Sequence, residues 1–480
     1  TSHFTWDCEI IKLTKELFFR NHIKIGCFYH ENKSKDHQKR YAEHLAQFHL
    51  ACDLVKVIHH YFPGLRSLLK RLEDPRDHRY ITYESHVLLM KHILSSIFYI
   101  SSMRKTSREF NSDTVIENIG YLCGRPELPE LPYWETINDY LKRLDPGQLQ
   151  GVVCGLVRRL LWSRVFEDSR IRGRYWQVIV DGTQLESSRR ELDPKSLYRI
   201  HRKGTPEEYR EYYYYVLEAK LVLRNDILVS IMTEFVENEG SEDEKQDCER
   251  KACRRLLKKL HGEFPRLPVC LSADSLYACE PFFEECRGYG YHYILRFKEG
   301  SIPYVADEFG TLRNREGNLQ KEETEDMTLW SDYVNGIDYE GHLVNLLEYR
   351  EEKKKENGKG KEKRFLFLTD LAVTKKNVWA TAEAGRRRWK IENEGFNTQK
   401  NYGYCLEHMY SRVYQGIKNH YYLIQIGHMI AQVMEAWESL WKKVRQSREQ
   451  KHRRILESWK QDKLKETMQE IEQGFQIRFG

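Results

Sequence analysis

Three distant segments of this sequence each end a predicted buried element with one carboxylate. They are Val178–Asp181, Cys270–Asp274 and Arg388–Glu392. A carboxylate at the end of a buried element is costly unless a cation meets it there. Three such acids that converge would suit a pair of hard divalent ions. The pattern therefore predicts a metal-dependent enzyme that acts on phosphodiesters.

The composition allows a large protein of two to four domains but does not select its partner. The chain has 480 residues, with 78 Lys and Arg against 72 Asp and Glu, for a net charge of +6. With so slight an excess, only local clustering of charge could make a nucleic-acid surface. No signal peptide opens the sequence, and its most apolar stretch, Val87 to Ile100, is too short to span a bilayer. We expect a soluble protein of a reducing compartment, without a membrane partner.

The 11 cysteines are scattered and lack the paired spacing of zinc sites. Cys27 and His30 have the spacing of half a zinc site, with Cys8 and His22 nearby. A structural zinc there is the alternative to ordinary buried thiols, which explain the pattern better.

The first 170 residues are helical in pattern. Residues 133–141 and 149–162 form two short amphipathic segments on either side of Asp145-Pro146. They could form a helix-turn-helix or a helical bundle that packs on the core, and the sequence leaves both open.

An α/β pattern begins near residue 175. The predicted strands are 175–180, 212–223, 227–235, 269–273 and 291–297, with helices from Ser241 to His261 and over 277–286. Asp181 then follows the first strand and Asp274 the fourth. If these strands are parallel neighbours, both acids lie at the sheet edge where ligands bind. Residues 298–376 return to a β pattern, with a solvated hairpin tip over 351–363.

The third acid must be chosen between Glu392 and Glu394. At about 100° per residue, Arg388, Phe396 and Gln399 share the face of Glu392, with Gly395 nearby. Glu394 points the other way and would pair with Lys390. We therefore choose Glu392 and expect its face to meet DNA.

The roles of two neighbours of Glu392 stay open. Arg388 could bind phosphate or pair with Glu392 four residues on. Trp389 could stack on a distorted DNA end or belong to the core.

The chain resembles the DDE transposases of bacterial insertion sequences, of the cut-and-paste type. The resemblance covers about residues 175–435 and rests on Asp181–Thr183, Ala273–Tyr277, Ile294–Lys298 and Arg388–Lys400. It implies an α/β fold with an RNase H-like mixed-sheet core and a β-rich insertion before the glutamate helix, flanked by helical regions. The implied divisions are 1–170 for recognition of DNA ends, 171–298 for the first part of the core, 299–377 for the insertion, 378–436 for the second part of the core, and 437–480 for a charged helical tail.

The resemblance also implies residue roles. Asp181, Asp274 and Glu392 would be catalytic and would hold Mg²⁺, with Mn²⁺ able to substitute. The implied DNA contacts are Arg388, Lys400, Trp389, Arg296 and Lys298. Two positions depart from the family signature: its tyrosine falls at Gly385, and its lysine usually stands seven residues after the glutamate, whereas Lys400 stands eight after Glu392.

The implied reaction is hydrolysis of a phosphodiester at each transposon end, followed by attack of the freed 3′-hydroxyl on target DNA. The partners would be double-stranded transposon ends and target, held by a homodimer or a larger synaptic complex. The resemblance also implies a cytoplasmic protein associated with the bacterial nucleoid. Two alternatives remain: an RNase H-like nuclease or resolvase without strand transfer, and a domesticated DNA-binding protein.

Overall fold

The computed structural model describes residues 49–238, 248–355, 358–437 and 447–473. The residues from Leu50 onward belong to one compact unit. The zinc half-site at Cys27 and the helix start at Ser241 lie outside the described residues.

Helices come first in the described chain. Their bounds are α1 Leu50–Tyr61, α2 Leu65–Lys70, α3 Ser85–Ile97, α4 Met103–Glu109, α5 Asp113–Cys123, α6 Trp134–Leu141 and α7 Pro146–Trp162. Asp145 caps α7 by accepting a hydrogen bond from the Gly147 amide, and Pro146 starts the helix. α7 packs on the sheet, where Gln150 accepts a hydrogen bond from the Thr233 amide. Of the two alternatives for this region, the packing matches a helical bundle on the core.

Ten strands form one mixed sheet among the described residues. They are β1 Trp176–Ser188, β2 Leu197–His201, β3 Tyr209–Val222, β4 Leu228–Val236, β5 Val269–Ala273, β6 His292–Phe297, β7 Gln320–Glu323, β8 Met327–Tyr339, β9 His342–Lys355 and β10 Gly358–Thr369. β1 is parallel to β5, and β5 is parallel to β6. β3 lies antiparallel to β1, with β2 and β4 on its other edge. The order β4-β3-β1-β5-β6 is compatible with the expected RNase H-like core.

The remaining strands extend this sheet. β10 pairs antiparallel with β6, and β9, β8 and β7 follow as an antiparallel meander. The predicted β pattern after residue 298 is therefore present, but a helix that the sequence does not predict, α10 (Pro303–Glu316), precedes it. Only Val305 and Phe309 of α10 are buried, so its apolar pattern is weak.

The remaining helices lie between and after these strands in the chain. They are α8 Glu249–Glu263, α9 Glu280–Tyr289, α11 Val378–Arg386, α12 Thr398–Asn401, α13 Tyr414–Trp437, α14 Arg448–Gln461 and α15 Lys465–Gln473. α14 packs on α1 and α5 and buries Trp459 completely. This part of the predicted charged tail is therefore a helix packed on the core.

Alternation along β1 assigns its side chains to the two faces. Val178 and Val180 belong to the large core shared with the N-terminal helices, α8 and α9. Ile179 lies on the opposite face, in a small cluster with Ile391 and Phe396. Asp181, two residues further along, therefore shares its face with the segment that carries Glu392.

No helix in the described ranges is both long and apolar enough to cross a membrane.

A buried histidine pair joins α3 to α13. His92 Nε2 and His420 Nδ1 are 2.5 Å apart, and Tyr410 packs against the His420 ring. Burial is the main cause that lowers the pKa of His92 to about 4, with Lys91 adding to it. Burial, followed by His92 and His408, lowers the pKa of His420.

We expect this pair to make the fold sensitive to acid. Because the unfolded chain takes up protons on histidine near pH 6.5 and the folded pair does not, stability is full above that pH and falls as pH drops towards 4. The loss from His92 alone should be about 3 kcal/mol at pH 4. Urea unfolding at pH 7, 5 and 4 measures it, and His92→Gln should flatten the dependence. An identical pH slope in that variant would contradict this role of the pair.

Candidate active site

The first two predicted acids stand side by side where the parallel pairing of β1 with β5 ends. Asp274 follows β5 as predicted, whereas Asp181 lies inside β1, because that strand continues to Ser188 in its antiparallel pairing with β3. β1 and β5 pair with a constant offset of 93 residues, as in Ile179 with Ser272. Asp181 and Asp274 have the same separation (274 − 181 = 93), so they occupy equivalent positions two residues further along. Asp274 follows β5 directly and accepts a hydrogen bond from the Leu276 amide at 2.8 Å. Neighbouring strands are about 4.8 Å apart, which brings the two acids to one edge of the sheet.

Glu392 lies on an irregular helical segment. A short 3₁₀ turn at Arg387–Trp389 leads into a π-helix at Ile391–Asn397. Ile391 and Phe396 are five residues apart, which is the spacing of the backbone hydrogen bonds in a π-helix. Both belong to the apolar cluster that contains Ile179. This packing leaves the Glu392 side chain 55% exposed beside the strand end.

The predicted DNA-facing surface around Glu392 is partly wrong. Gly395, Phe396 and Gln399 are buried against the sheet and α13, because the π-helix turns them inward. The predicted pair of Glu394 with Lys390 is also replaced. Lys390 instead pairs with Asp226, and Glu394 with Arg448.

Arg388 bridges the first and third acids. Its Nη1 donates to Asp181 Oδ2 at 3.1 Å, and its Nη2 donates to Glu392 Oε1 at 2.7 Å. The side chain is only 17% exposed. The predicted pairing of Arg388 with Glu392, four residues further along, is present. The same guanidinium also binds Asp181 and so holds the two acids together.

The surroundings of Asp181 disfavour the charged form of its carboxylate. Burial raises its pKa to about 7, against the opposing pull of Arg388 and of the hydrogen bond from the Gly182 amide. The carboxylates of Glu392 and Glu249 raise it further. A carboxylate in this setting favours either a proton or an added cation.

Glu249 is an acid near this site that the sequence reasoning did not single out. It begins α8 and accepts hydrogen bonds from the hydroxyls of Tyr215, at 2.9 Å, and Tyr277, at 2.7 Å. The Tyr215 ring lies over Gly182, where any side chain would collide with it. The sequence predicts a helix from Ser241, in which Glu249 is one of several charged residues, so no local signal marks it.

The acids suit divalent cations in ligand type and in charge. Carboxylate oxygens are the ligands that Mg²⁺ and Mn²⁺ prefer. Among the described residues, two other groups of three side chains place their ligand atoms within 4.8 Å of one another. Asp181, Asp274 and Glu392 do not meet that spacing as a trio, so no single ion would contact all three as they stand.

A basic and aromatic cavity of about 340 Å³ adjoins Arg388. Its walls are Arg296, Lys363, Phe365, Phe367, Gly385, Arg386, Arg388 and Trp389. The Arg386 guanidinium stacks on the Phe365 ring at 3.9 Å. Burial, followed by the nearby Arg388, lowers the pKa of Arg296. This cluster of cations is the local concentration of charge that the net charge of the chain does not reveal.

The other predicted DNA contacts are spread out. Trp389 is 42% exposed in the cavity wall, so it does not belong to the core. Lys298 is exposed after β6, and Lys400 pairs with Glu407 at 2.7 Å. A side chain at Gly385 would collide with the Phe367 ring, which explains why no tyrosine stands there.

No protein-family model and no curated protein sequence matches this chain. Among solved structures, it is similar to the piggyBac transposase synaptic complex with hairpin DNA. The TM-score is 0.34 at 10% sequence identity, over 90% of this chain and 83% of that chain. At that TM-score the likeness adds no support for a function.

Proposed function

We propose that this protein is a DDE-type transposase that cleaves DNA phosphodiesters and joins the freed 3′-hydroxyl to target DNA. The observation that carries the proposal is the carboxylate edge of Asp181, Asp274 and Glu392 beside a cavity walled by cations and aromatic rings. Carboxylates suit metal ions, and the cavity suits a polyanion with flat bases. The strand order β4-β3-β1-β5-β6 supports an RNase H-like core under the site.

Each acid has a role in this proposal. Asp181, Asp274 and Glu392 would hold Mg²⁺ or Mn²⁺, which would activate the attacking hydroxyl and stabilise the leaving oxygen. Arg388 would release Asp181 and Glu392 to the metal and turn to a DNA phosphate. In this proposal, water or the 3′-hydroxyl attacks the phosphodiester directly, without a covalent protein–DNA intermediate.

The cavity would bind the DNA end. Arg296, Lys363 and Arg386 would contact phosphates, and Trp389 would stack on an exposed base. Lys298 and Lys400 would contact the flanking backbone. Because two ends enter one target, we propose a homodimer or a larger synaptic assembly as the active form.

DNA binding should weaken steeply as salt rises, because lysine and arginine release counterions from the phosphates they neutralise. Lys363→Gln should make the slope of log affinity against log salt shallower by about 1. Trp389→Ala should cost about 1–3 kcal/mol of binding. Fluorescence anisotropy with labelled DNA between 50 and 300 mM salt, roughly the range in which such contacts dominate, measures both.

Tyr304→Ala is the control, since Tyr304 is also an exposed aromatic residue but lies at the start of α10, outside the cavity. It should bind DNA as the unaltered protein does. A salt-independent affinity would exclude a phosphate-binding function, and equal losses for the Trp389 and Tyr304 variants would exclude the cavity as the binding site.

A further inference from the structure

Two acids of α9 and one histidine of the β8–β9 hairpin converge away from the site described above. Glu280, Glu284 and His342 each place one possible ligand atom within 4.8 Å of the other two. His342 Nε2 lies 4.0 Å from Glu280 Oε1 and 3.8 Å from Glu284 Oε2. The set joins the helix between β5 and β6 to the extension of the sheet.

Regular structure holds all three side chains in place. Glu280 and Glu284 are four residues apart on α9, so they lie on one face of the helix. His342 pairs with Tyr339 across the two-residue turn Glu340-Gly341, in which both residues have positive φ. Such a turn fixes the register of a hairpin tightly.

The His342 ring faces the two carboxylates. Its side chain is only 9% exposed, and none of the described residues makes a hydrogen bond with the ring. Its neighbours are the edge of the Phe283 ring and the two carboxylates, which stand too far away for hydrogen bonds. An ion between the three side chains would give the ring nitrogen a partner.

The distances between the possible ligand atoms are close to those around a bound metal ion. Ligands bound to Zn²⁺ at about 2.0–2.2 Å stand about 3.4 Å from one another in a tetrahedron. Separations of 3.8 and 4.0 Å need only small side-chain movements to reach that geometry. One imidazole with two carboxylates is a ligand set for a transition metal rather than for Mg²⁺, which prefers oxygen ligands alone.

We infer that Glu280, Glu284 and His342 bind a divalent transition-metal ion of the Zn²⁺ class, with water in the fourth position. The ion ties the β8–β9 hairpin to α9 and thereby fixes the sheet extension on the core. Glu284 also pairs with Arg287. This ion pair is exposed and contributes little to stability, so the metal ion displaces Arg287 from Glu284. This site does not depend on the proposed function.

The test uses the whole chain with Asp181→Asn, Asp274→Asn and Glu392→Gln already in place, so that the proposed catalytic acids bind no metal. Zn²⁺ is titrated calorimetrically into the EDTA-treated protein, and Co²⁺ is followed by its visible absorption. We expect one more equivalent of Zn²⁺ than in the same protein carrying His342→Gln. We also expect a Zn²⁺-dependent rise in Tm that the variant lacks.

Two further variants keep the test decisive. Glu284→Gln changes an exposed side chain, so the variant should fold normally. It should weaken Zn²⁺ binding more than about tenfold, because loss of a residue that only orients a metal ligand already lowers metal affinity by about that factor. Glu285→Gln lies on the same helix as Glu284 but disturbs only a pair with Arg254 of α8, so this variant should bind Zn²⁺ unchanged. Equal stoichiometry and affinity in the Glu284→Gln and Glu285→Gln proteins would overturn the inference.

Discussion

Asp181→Asn, Asp274→Asn and Glu392→Gln should each reduce DNA cleavage more than about a hundredfold, because each removes a charge that the proposed function assigns to metal binding while keeping the shape of the side chain. Binding of DNA ends should remain, since the cavity beside Arg388 keeps its cations. The assay is Mg²⁺-dependent nicking of a plasmid that carries the genomic DNA on both sides of the gene. Retention of the labelled ends in a gel-shift experiment measures binding separately.

The matched control is Glu394→Gln, which changes an acid on the same helical segment that faces Arg448. It should cut normally. If Glu394→Gln fails to cut while Glu392→Gln cuts, the choice of the third acid is wrong. Joining of a precleaved end to a target plasmid separates a transposase from a nuclease, which would cut without joining.

Lys220→Met should destabilise the fold by about 3–5 kcal/mol, because it leaves the charge of a buried partner uncompensated. Lys220 and Glu218 lie on the same face of β3 and are both fully buried. Burial raises the pKa of Glu218 and lowers that of Lys220, and each partner opposes the shift of the other. Urea unfolding should show a lower midpoint with an unchanged slope.

The contacts of this pair connect the core to the candidate site. Glu218 accepts hydrogen bonds from Thr233 and Tyr421 at 2.8 and 2.7 Å. Lys220 donates to Gln425 at 2.7 Å, and its stem lies against Gly395 in the π-helix that carries Glu392. Loss of Lys220 should therefore loosen the glutamate segment as well as the core.

Two comparisons test this account of the pair. The double variant Glu218→Gln/Lys220→Met should lose less stability than the sum of the two single variants. Lys298→Met, an exposed change, should stay within about 0.5 kcal/mol of the unaltered protein. A loss below about 1 kcal/mol for Lys220→Met would mean that the buried pair contributes no net charge interaction.

The strands around the site were predictable because their signals are local. Val269–Ala273 was predicted to the residue, and the hairpin of β3 and β4 was marked by its turn at residues 224–226. β2 and α10 were missed, since short or mostly exposed elements carry little hydrophobic periodicity. The π-helix at Ile391–Asn397 was missed because a count of 100° per residue assumes a regular α-helix.

By itself, the sequence determined the apolar strands and singled out the three acids, because the alternation of apolar and polar residues is a pattern of neighbouring positions. Only the tertiary structure decided that Arg388 bridges Asp181 and Glu392, that Glu249 stands near them, and that cations gather into one cavity. These relations join residues far apart in the chain. Their distances follow from strand register and helix packing, which no local pattern of residues contains.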